Sequence, residues 1–269
     1  MRRHHLTGKP SKLKERKRKI LVFKGVLLIV FLISIFLSLV WVSRLSRLNL
    51  DNVLVEGNSV VDTKDIQVVV KNVLSGSYAY FFPKSSVFLY PRKNLEAELI
   101  SSIPNLETAK VETNHFSSLR VAVKERKPFA LYCTGICYFV DRDGLLFKKA
   151  PAISGSAYIR FQDVSTTSPS IGSYIYPNIF GSLNFFITKL VSLGVKVVKV
   201  ESDKNGDYIL TAEGGAQMYI SGDGNFDTAL QNFESLLSQS LTKLYGENPL
   251  RKIDYVDLRF GNRLYYKAR

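Results

Sequence analysis

Histidine and cysteine are scarce in this chain, which has three His and two Cys among its 269 residues. A structural zinc site takes four ligands at short spacing, and neither the pair His4 and His5 nor the isolated His115 supplies such a set. The chain also lacks the G-x-S-x-G, H-E-x-x-H and glycine-rich phosphate motifs of common enzymes. We therefore predict that the protein is not an enzyme, with no catalytic residues, no metal, no cofactor and no small-molecule substrate.

Charge is absent from the nineteen residues Gly25 to Ser43. A helix of this length spans about 29 Å, close to the hydrocarbon thickness of a bilayer. We predict a transmembrane helix over 25–43, with Trp41 at the outer membrane–water interface. The alternatives are a cleaved signal peptide, whose apolar region is shorter, and a buried helix of a soluble domain, which is seldom apolar on all faces. Both alternatives fit the segment less well.

Basic residues are concentrated ahead of this segment. Residues 1–24 contain ten Lys or Arg and one acid, whereas residues 50–269 contain 25 basic and 22 acidic residues. By the positive-inside rule, the tail of residues 1–24 stays in the cytoplasm and the chain after about residue 44 lies outside. The net charge of +14 belongs mostly to the tail. It favours contact with anionic lipid headgroups over a role in nucleic acid binding.

The first part beyond the membrane combines strands and helices. Alternating apolar residues predict strands at Leu50–Glu56, Leu106–Glu112 and Leu119–Glu125. Helical spacing predicts one helix that starts after Asp62 and a second over Arg92–Ile103. The order β-α-α-β-β predicts a small α+β domain over residues 50–127.

Strands dominate after Pro128. Short alternating runs separated by turn residues predict a strand-rich β domain over 128–269. Two helices interrupt it, over Ile179–Leu193 and Asp227–Tyr245, and the chain closes with strands Ile253–Phe260 and Arg263–Lys267. The fold class predicted from the sequence is thus α+β behind one membrane helix.

Cys133 and Cys137 lie on opposite arms of a predicted hairpin with Gly135 at its turn. Cα atoms across paired strands are about 4.5–5.5 Å apart, within the range that a disulfide tolerates. An oxidising compartment favours the bridge. Two reduced, buried thiols fit the sequence equally well, so both forms stay open.

The segment 78–90 is unusually aromatic for a connection between helices, with Tyr78, Tyr80, Phe81, Phe82, Phe88 and Tyr90. We predict that these side chains fill the core under the first helix of the α+β domain. The alternative is contact with a partner or with the membrane surface.

Several short motifs follow one another in a fixed order. They are Val55-x-Gly57-Asn58, Glu125-Arg126-x-Pro128-x-Ala130, Asp141-x-x-Gly144, Val256-Asp257-Leu258-Arg259-Phe260 and Leu264-Tyr265-Tyr266-Lys267. Together with the basic tail and the single membrane helix, they resemble the bacterial cell-division protein family FtsQ/DivIB over the whole chain. Phe260 departs from the pattern, because many members carry Tyr after the Asp-Leu-Arg run.

The resemblance implies a POTRA domain over 50–127 and a partner-binding β domain over 128–269. It also implies a scaffold at the division septum of the bacterial plasma membrane, which recruits other division proteins and helps to regulate septal peptidoglycan synthesis. The implied partners are FtsB/DivIC-like and FtsL-like single-pass proteins, which would add a strand at the C-terminal edge. The residues expected to bind them are Tyr255, Asp257, Arg259, Phe260, Arg263, Leu264, Tyr265 and Tyr266.

Two other classes of protein remain as alternatives. One is an extracytoplasmic cell-wall enzyme whose site is not recognisable from motifs. The other is an export component that carries a POTRA domain.

The orientation in the membrane can be tested with single cysteines in a variant that lacks Cys133 and Cys137. A cysteine at Ser59 should react with a membrane-impermeant thiol reagent in whole cells, while one at Ser11 should not, because the basic tail stays inside. Labelling at Ser11 but not at Ser59 would reverse the predicted orientation.

Overall fold

The computed structural model describes residues 12–115, 117–153, 155–163, 169–238, 249–261 and 263–269. The chain divides into two compact units. The first unit contains the chain up to Glu56 together with Asp62–Glu98 and Lys110–Ala122. The second unit contains Gly57–Val61, Leu99–Ala109 and Val123–Arg269. The predicted domain limits, 50–127 and 128–269, stay a prediction.

The described residues form five α-helices and fourteen strands. The helices are α1 (Lys12–Ser43), α2 (Thr63–Leu74), α3 (Arg92–Ser102), α4 (Phe180–Ser192) and α5 (Phe226–Leu236). The strands are β1 (Asn52–Glu56), β2 (Ser77–Tyr78), β3 (Phe82–Pro83), β4 (Leu106–Asn114), β5 (Ser118–Glu125), β6 (Ala130–Thr134), β7 (Ile136–Val140), β8 (Leu146–Lys149), β9 (Ile159–Gln162), β10 (Val197–Ser202), β11 (Tyr208–Ala212), β12 (Gln217–Ile220), β13 (Ile253–Phe260) and β14 (Arg263–Ala268). Short 3-10 helices cover Ser46–Leu48 and Pro249–Lys252.

Helix α1 contains the predicted membrane segment 25–43 and continues back to Lys12. Its residues Arg16–Ser43 are long and apolar enough to cross a membrane, and the described part of the chain buries none of its most apolar stretch. This exposure separates α1 from the core helix of a soluble domain, which would bury its apolar side chains against other elements.

The predicted β-α-α-β-β order is present, with the short hairpin β2–β3 added between the two helices. Strand β1 pairs in parallel with β5, and the three-stranded sheet has the order β1-β5-β4. Asp62 caps α2 as predicted, because its side chain accepts a hydrogen bond from the backbone N–H of Lys64. Ile66 and Val70 lie one turn apart on the buried face of α2.

A mixed sheet of nine strands has the order β14-β13-β12-β11-β10-β9-β6-β7-β8. Its parallel pairs are β6 with β9, β9 with β10, and β12 with β13. Apolar side chains of α4 and α5, among them Phe186 and Phe233, form one buried cluster with sheet residues such as Phe161 and Val256. The α+β class predicted from the sequence is confirmed at this level of detail.

Glu125 holds the turn that follows β1. Its carboxylate accepts hydrogen bonds from the backbone N–H groups of Ser59, Val60 and Val61, at 2.7–2.8 Å from Oε1. Burial would raise the pKa of Glu125, but these backbone donors outweigh burial and lower it. Gly57 starts the turn with φ +87°, and a Cβ there would lie 2.2 Å from the carbonyl oxygen of Val123. No other residue type fits that position without a shift of the backbone.

Arg126, the next residue, forms a buried ion pair with Asp141. The guanidinium Nη1 lies 2.5 Å from the carboxylate, and the two side chains are 11% and 8% exposed. The Nε–H of Arg126 donates to the carbonyl of Pro104. The other oxygen of Asp141 accepts from the N–H groups of Asp143 and Leu145 in the β7–β8 turn. The charged residues of the Glu125-Arg126 and Asp141 motifs therefore make contacts that stabilise the fold.

Cys133 and Cys137 form a disulfide, which answers the question that the sequence left open. The two residues are directly paired between β6 and β7, with their Cα atoms 4.1 Å apart and Gly135 at the tip of the hairpin.

The structure differs from the sequence prediction in the aromatic segment 78–90 and in the start of the second predicted helix of the β domain. The aromatic segment does not fill the core: Tyr78, Tyr80, Phe81 and Phe88 are all exposed. The reason is that the short hairpin β2–β3 turns these side chains outward, while Phe82 and Tyr90 of the segment are half-buried. The helix predicted over Asp227–Tyr245 begins at Phe226, and its predicted residues 239–245 lie outside the described residues.

Arg126→Ala should lower the free energy of unfolding by about 3 kcal/mol, because it leaves the buried carboxylate of Asp141 without its counter-ion. The measurement is denaturant unfolding of the detergent-solubilised chain. The matched control is Lys196→Ala, which breaks an exposed pair with Glu213 and should cost at most about 1 kcal/mol. Equal losses for the two variants would contradict the assigned role of Arg126.

Candidate protein-interaction edge

Strand β14 lies at the end of the nine-stranded sheet and, within the described part of the chain, pairs only with β13. An end strand leaves one row of backbone N–H and C=O groups without a partner in its own sheet. The prediction that the C-terminal strands lie at a sheet edge is therefore confirmed for β14.

The direction of the backbone groups of β14 follows from one hydrogen bond. The N–H of Arg269 donates to the carbonyl of Lys252, on the side of β13. Backbone groups alternate in direction along a strand. The groups of Tyr265 and Lys267 therefore point toward β13, and those of Leu264 and Tyr266 point to the open side.

Aromatic side chains gather on the sheet face that α4 and α5 do not cover. The rings of Phe260 and Tyr265 meet edge to face at 5.5 Å, and the two residues are 56% and 51% exposed. Tyr219 and Tyr255 form a similar pair at 5.9 Å. The guanidinium of Arg259 lies over the rings of Tyr219 and Phe260, at 5.3 and 5.7 Å, and connects the two pairs.

The guanidinium of Arg259 is held by the carboxylates of two aspartates. It donates to both carboxylate oxygens of Asp257, at 2.9 and 2.6 Å, and reaches Asp207 at 3.2 Å. Burial would raise the pKa of Asp257, but the hydrogen bonds and charge of Arg259 outweigh burial and lower it. The stabilisation from this pair is complete above the ordinary pKa of aspartate and is lost as the pH falls through the lowered value. The ion pair of Asp257 and Arg259 therefore contributes fully at neutral pH.

The structure brings five of the eight predicted binding residues together on this open face: Tyr255, Asp257, Arg259, Phe260 and Tyr265. Leu264 packs partly against the core on the other face, and Tyr266 lies opposite the buried Val256 on that same side. Arg263 is exposed and pairs with Phe260 at the start of β14.

Because side chains alternate along a strand, one of Tyr265 and Tyr266 is expected to point toward the core. Both are exposed, at 51% and 40%, although they face opposite sides of the sheet. The physical reason is that β14 is the last strand, so a side chain on its core-facing side has a neighbouring strand on one flank only.

Sequence reasoning missed Tyr219 and Asp207, which belong to the cluster through Arg259. Tyr219 alternates with the buried Met218 and Ile220 in β12, so its position on the open face could have been inferred from that alternation. Its proximity to Arg259 depends on the parallel pairing of β12 with β13, for which no local sequence signal exists.

The arrangement suits the binding of a polypeptide. A cluster of aromatic rings and an arginine beside an open strand edge offers both side-chain anchors and main-chain hydrogen bonds. Among the described residues, no three His, Cys, Asp or Glu side chains come close enough to hold a metal ion.

No protein-family model matches this chain, and no curated protein matches it. Among the described residues, the protein has one helix that is long and apolar enough to cross a membrane, a small α+β segment and a mixed sheet of nine strands that ends in β14.

Tyr265→Lys and Tyr266→Lys should each change the free energy of unfolding by no more than about 0.5 kcal/mol, because both side chains are exposed. Val256→Lys is the contrast, since it buries a charge opposite Tyr266 and should prevent cooperative folding. Thermal unfolding followed by circular dichroism distinguishes them. A large loss of stability for Tyr266→Lys would place its side chain in the core after all.

Proposed function

We propose that the protein is a non-catalytic, membrane-anchored scaffold of the bacterial division machinery. Helix α1 anchors it in the plasma membrane, with the basic tail in the cytoplasm and the rest of the chain outside. At the septum it recruits other single-pass division proteins, of the FtsB/DivIC-like and FtsL-like kinds, and thereby helps to regulate septal peptidoglycan synthesis.

The observation that carries this proposal is the open edge of β14 beside the cluster of Phe260, Tyr265 and Arg259. A partner strand placed there would accept and donate hydrogen bonds at Leu264 and Tyr266. The aromatic rings next to the edge are large side chains of the kind that dominate binding energy at interfaces.

The resemblance to FtsQ/DivIB supports the proposal through the contacts of its motif residues. The Gly57 turn is held by Glu125, and Asp141 is paired with Arg126. Motif residues that are far apart in the sequence thus contact one another at two neighbouring positions, Glu125 and Arg126. Such contacts are expected if the motifs belong to one shared fold. We further propose that residues 50–127, with the order β-α-α-β-β, form the POTRA domain of that family.

The test uses proline at the edge. Tyr266→Pro removes an N–H that points to the open side but no hydrogen bond to β13, so the sheet should stay intact while partner binding weakens about tenfold. The measurements are septal localisation of the full-length chain and its co-purification with single-pass division proteins from cells.

Two controls separate the backbone from the side chain and from the fold. Tyr266→Ala keeps the N–H and should retain most of the binding. Lys267→Pro removes a donor that points to β13 and should lower the melting temperature. If Tyr266→Pro remains folded and recruits the same proteins as Tyr266→Ala, the edge of β14 is not the binding site.

A further inference from the structure

A small aromatic hairpin, residues 77–83, projects from the first unit. Strands β2 and β3 pair at Ser77 with Pro83 and at Tyr78 with Phe82. Tyr80 at the tip is 92% exposed, and the neighbouring Phe81 is 46% exposed. Soluble proteins seldom present such a group of rings to water without a function.

The tip of the aromatic hairpin has an unusual backbone. Ala79 and Tyr80 adopt φ values of +47° and +67°, and the N–H of Phe81 closes the turn onto the carbonyl of Tyr78. A turn with two positive φ values ordinarily carries Asn and Gly. A bulky aromatic residue in this conformation is strained, and such strain clusters at functional positions.

The aromatic hairpin packs against the apolar helix. The ring of Phe36 in α1 meets the rings of Phe81 and Phe82 edge to face, at 5.5 and 5.9 Å. Phe36 precedes the end of α1 at Ser43 by seven residues, so it lies about 10 Å along the helix from that end. Trp41, whose predicted place is the membrane–water interface, lies between them. With Trp41 at its predicted place, the aromatic hairpin therefore reaches a level of α1 that is deeper than the interface.

Backbone carbonyls of the aromatic hairpin and its base accept hydrogen bonds from within the protein, which a position below the membrane surface requires. Arg44, just after α1, donates to the carbonyls of Tyr80 and Phe81, at 3.1 and 3.3 Å. The N–H of Lys84 donates to the carbonyl of Gly76 at the base of the aromatic hairpin. Backbone groups that enter a bilayer must be satisfied within the protein, and basic side chains beside them extend to the headgroups.

We propose that the aromatic hairpin inserts into the lipid leaflet at the C-terminal end of α1, so that the protein contacts the bilayer at two places. The inference rests on the membrane anchor of the proposed function. Lipid is the occupant that the geometry favours, because the exposed rings continue the apolar surface of α1 at the same depth. Tyr and Phe rings at the edge of the hydrocarbon are the side chains that membrane interfaces favour.

The experiment uses the full-length chain in vesicles of phosphatidylcholine and phosphatidylglycerol with bromine on the acyl chains, which quenches tryptophan fluorescence. Trp41 is the only tryptophan, so it reports on α1 in the unaltered protein. Two variants place the probe in the aromatic hairpin, Trp41→Phe with Tyr80→Trp and Trp41→Phe with Phe81→Trp. The control, Trp41→Phe with Tyr174→Trp, puts it at an exposed position of the second unit.

The proposal expects quenching at position 80 or 81 as strong as that of Trp41, and little quenching at position 174. If both hairpin probes are quenched as little as the control while Trp41 is quenched, the anchor stands and the insertion is wrong. If Trp41 itself is not quenched, the anchor fails, and with it both the proposed function and the insertion. The second hairpin probe keeps the result decisive if tryptophan at position 80 alters the turn.

Discussion

The buried pair of Arg126 and Asp141 is the interaction on which the second unit depends. It sits where the chain leaves β5 and enters β6, and it joins the Pro104 carbonyl, the β7–β8 turn and the end of β5. A charge in so enclosed a place is tolerated only with its counter-ion and its remaining hydrogen bonds present. Asp141 has all of these, since it also accepts two backbone N–H groups.

Glu125 and Arg126 are neighbours in the sequence, but each stabilises a different part of the fold. Glu125 organises the backbone of residues 59–61 ahead of α2, and Arg126 organises the turn after β7. Neighbouring side chains of an extended chain point in opposite directions, which lets two adjacent charges serve separate contacts. The short motif Glu125-Arg126 thus contacts two separate turns, the one ahead of α2 and the one after β7.

Much of the local structure could be predicted from the sequence, because the patterns that encode it are local. The spacing of Ile66 and Val70, with Asp62 ahead of them, defines α2 through its amphipathic period and its cap. The contact between Glu125 and residues 59–61 joins positions more than sixty residues apart, and no period encodes it. The prediction for the aromatic segment failed for another reason. Composition shows that aromatic rings avoid water, but a protein core and a lipid bilayer both satisfy that requirement.

The open edge of β14 has a further consequence for the protein alone. An unpaired strand can add to the same strand of a second copy and form one continuous sheet through a two-fold axis. The exposed strand carries Arg263 and Lys267, and Arg269 follows it. In an antiparallel register centred on Tyr265, Arg263 of each copy would lie opposite Lys267 of the other across the new ladder, where like charges repel. Lys267 also pairs with Asp254, so this repulsion would weaken self-association in that register while leaving the edge open to a strand of different charge.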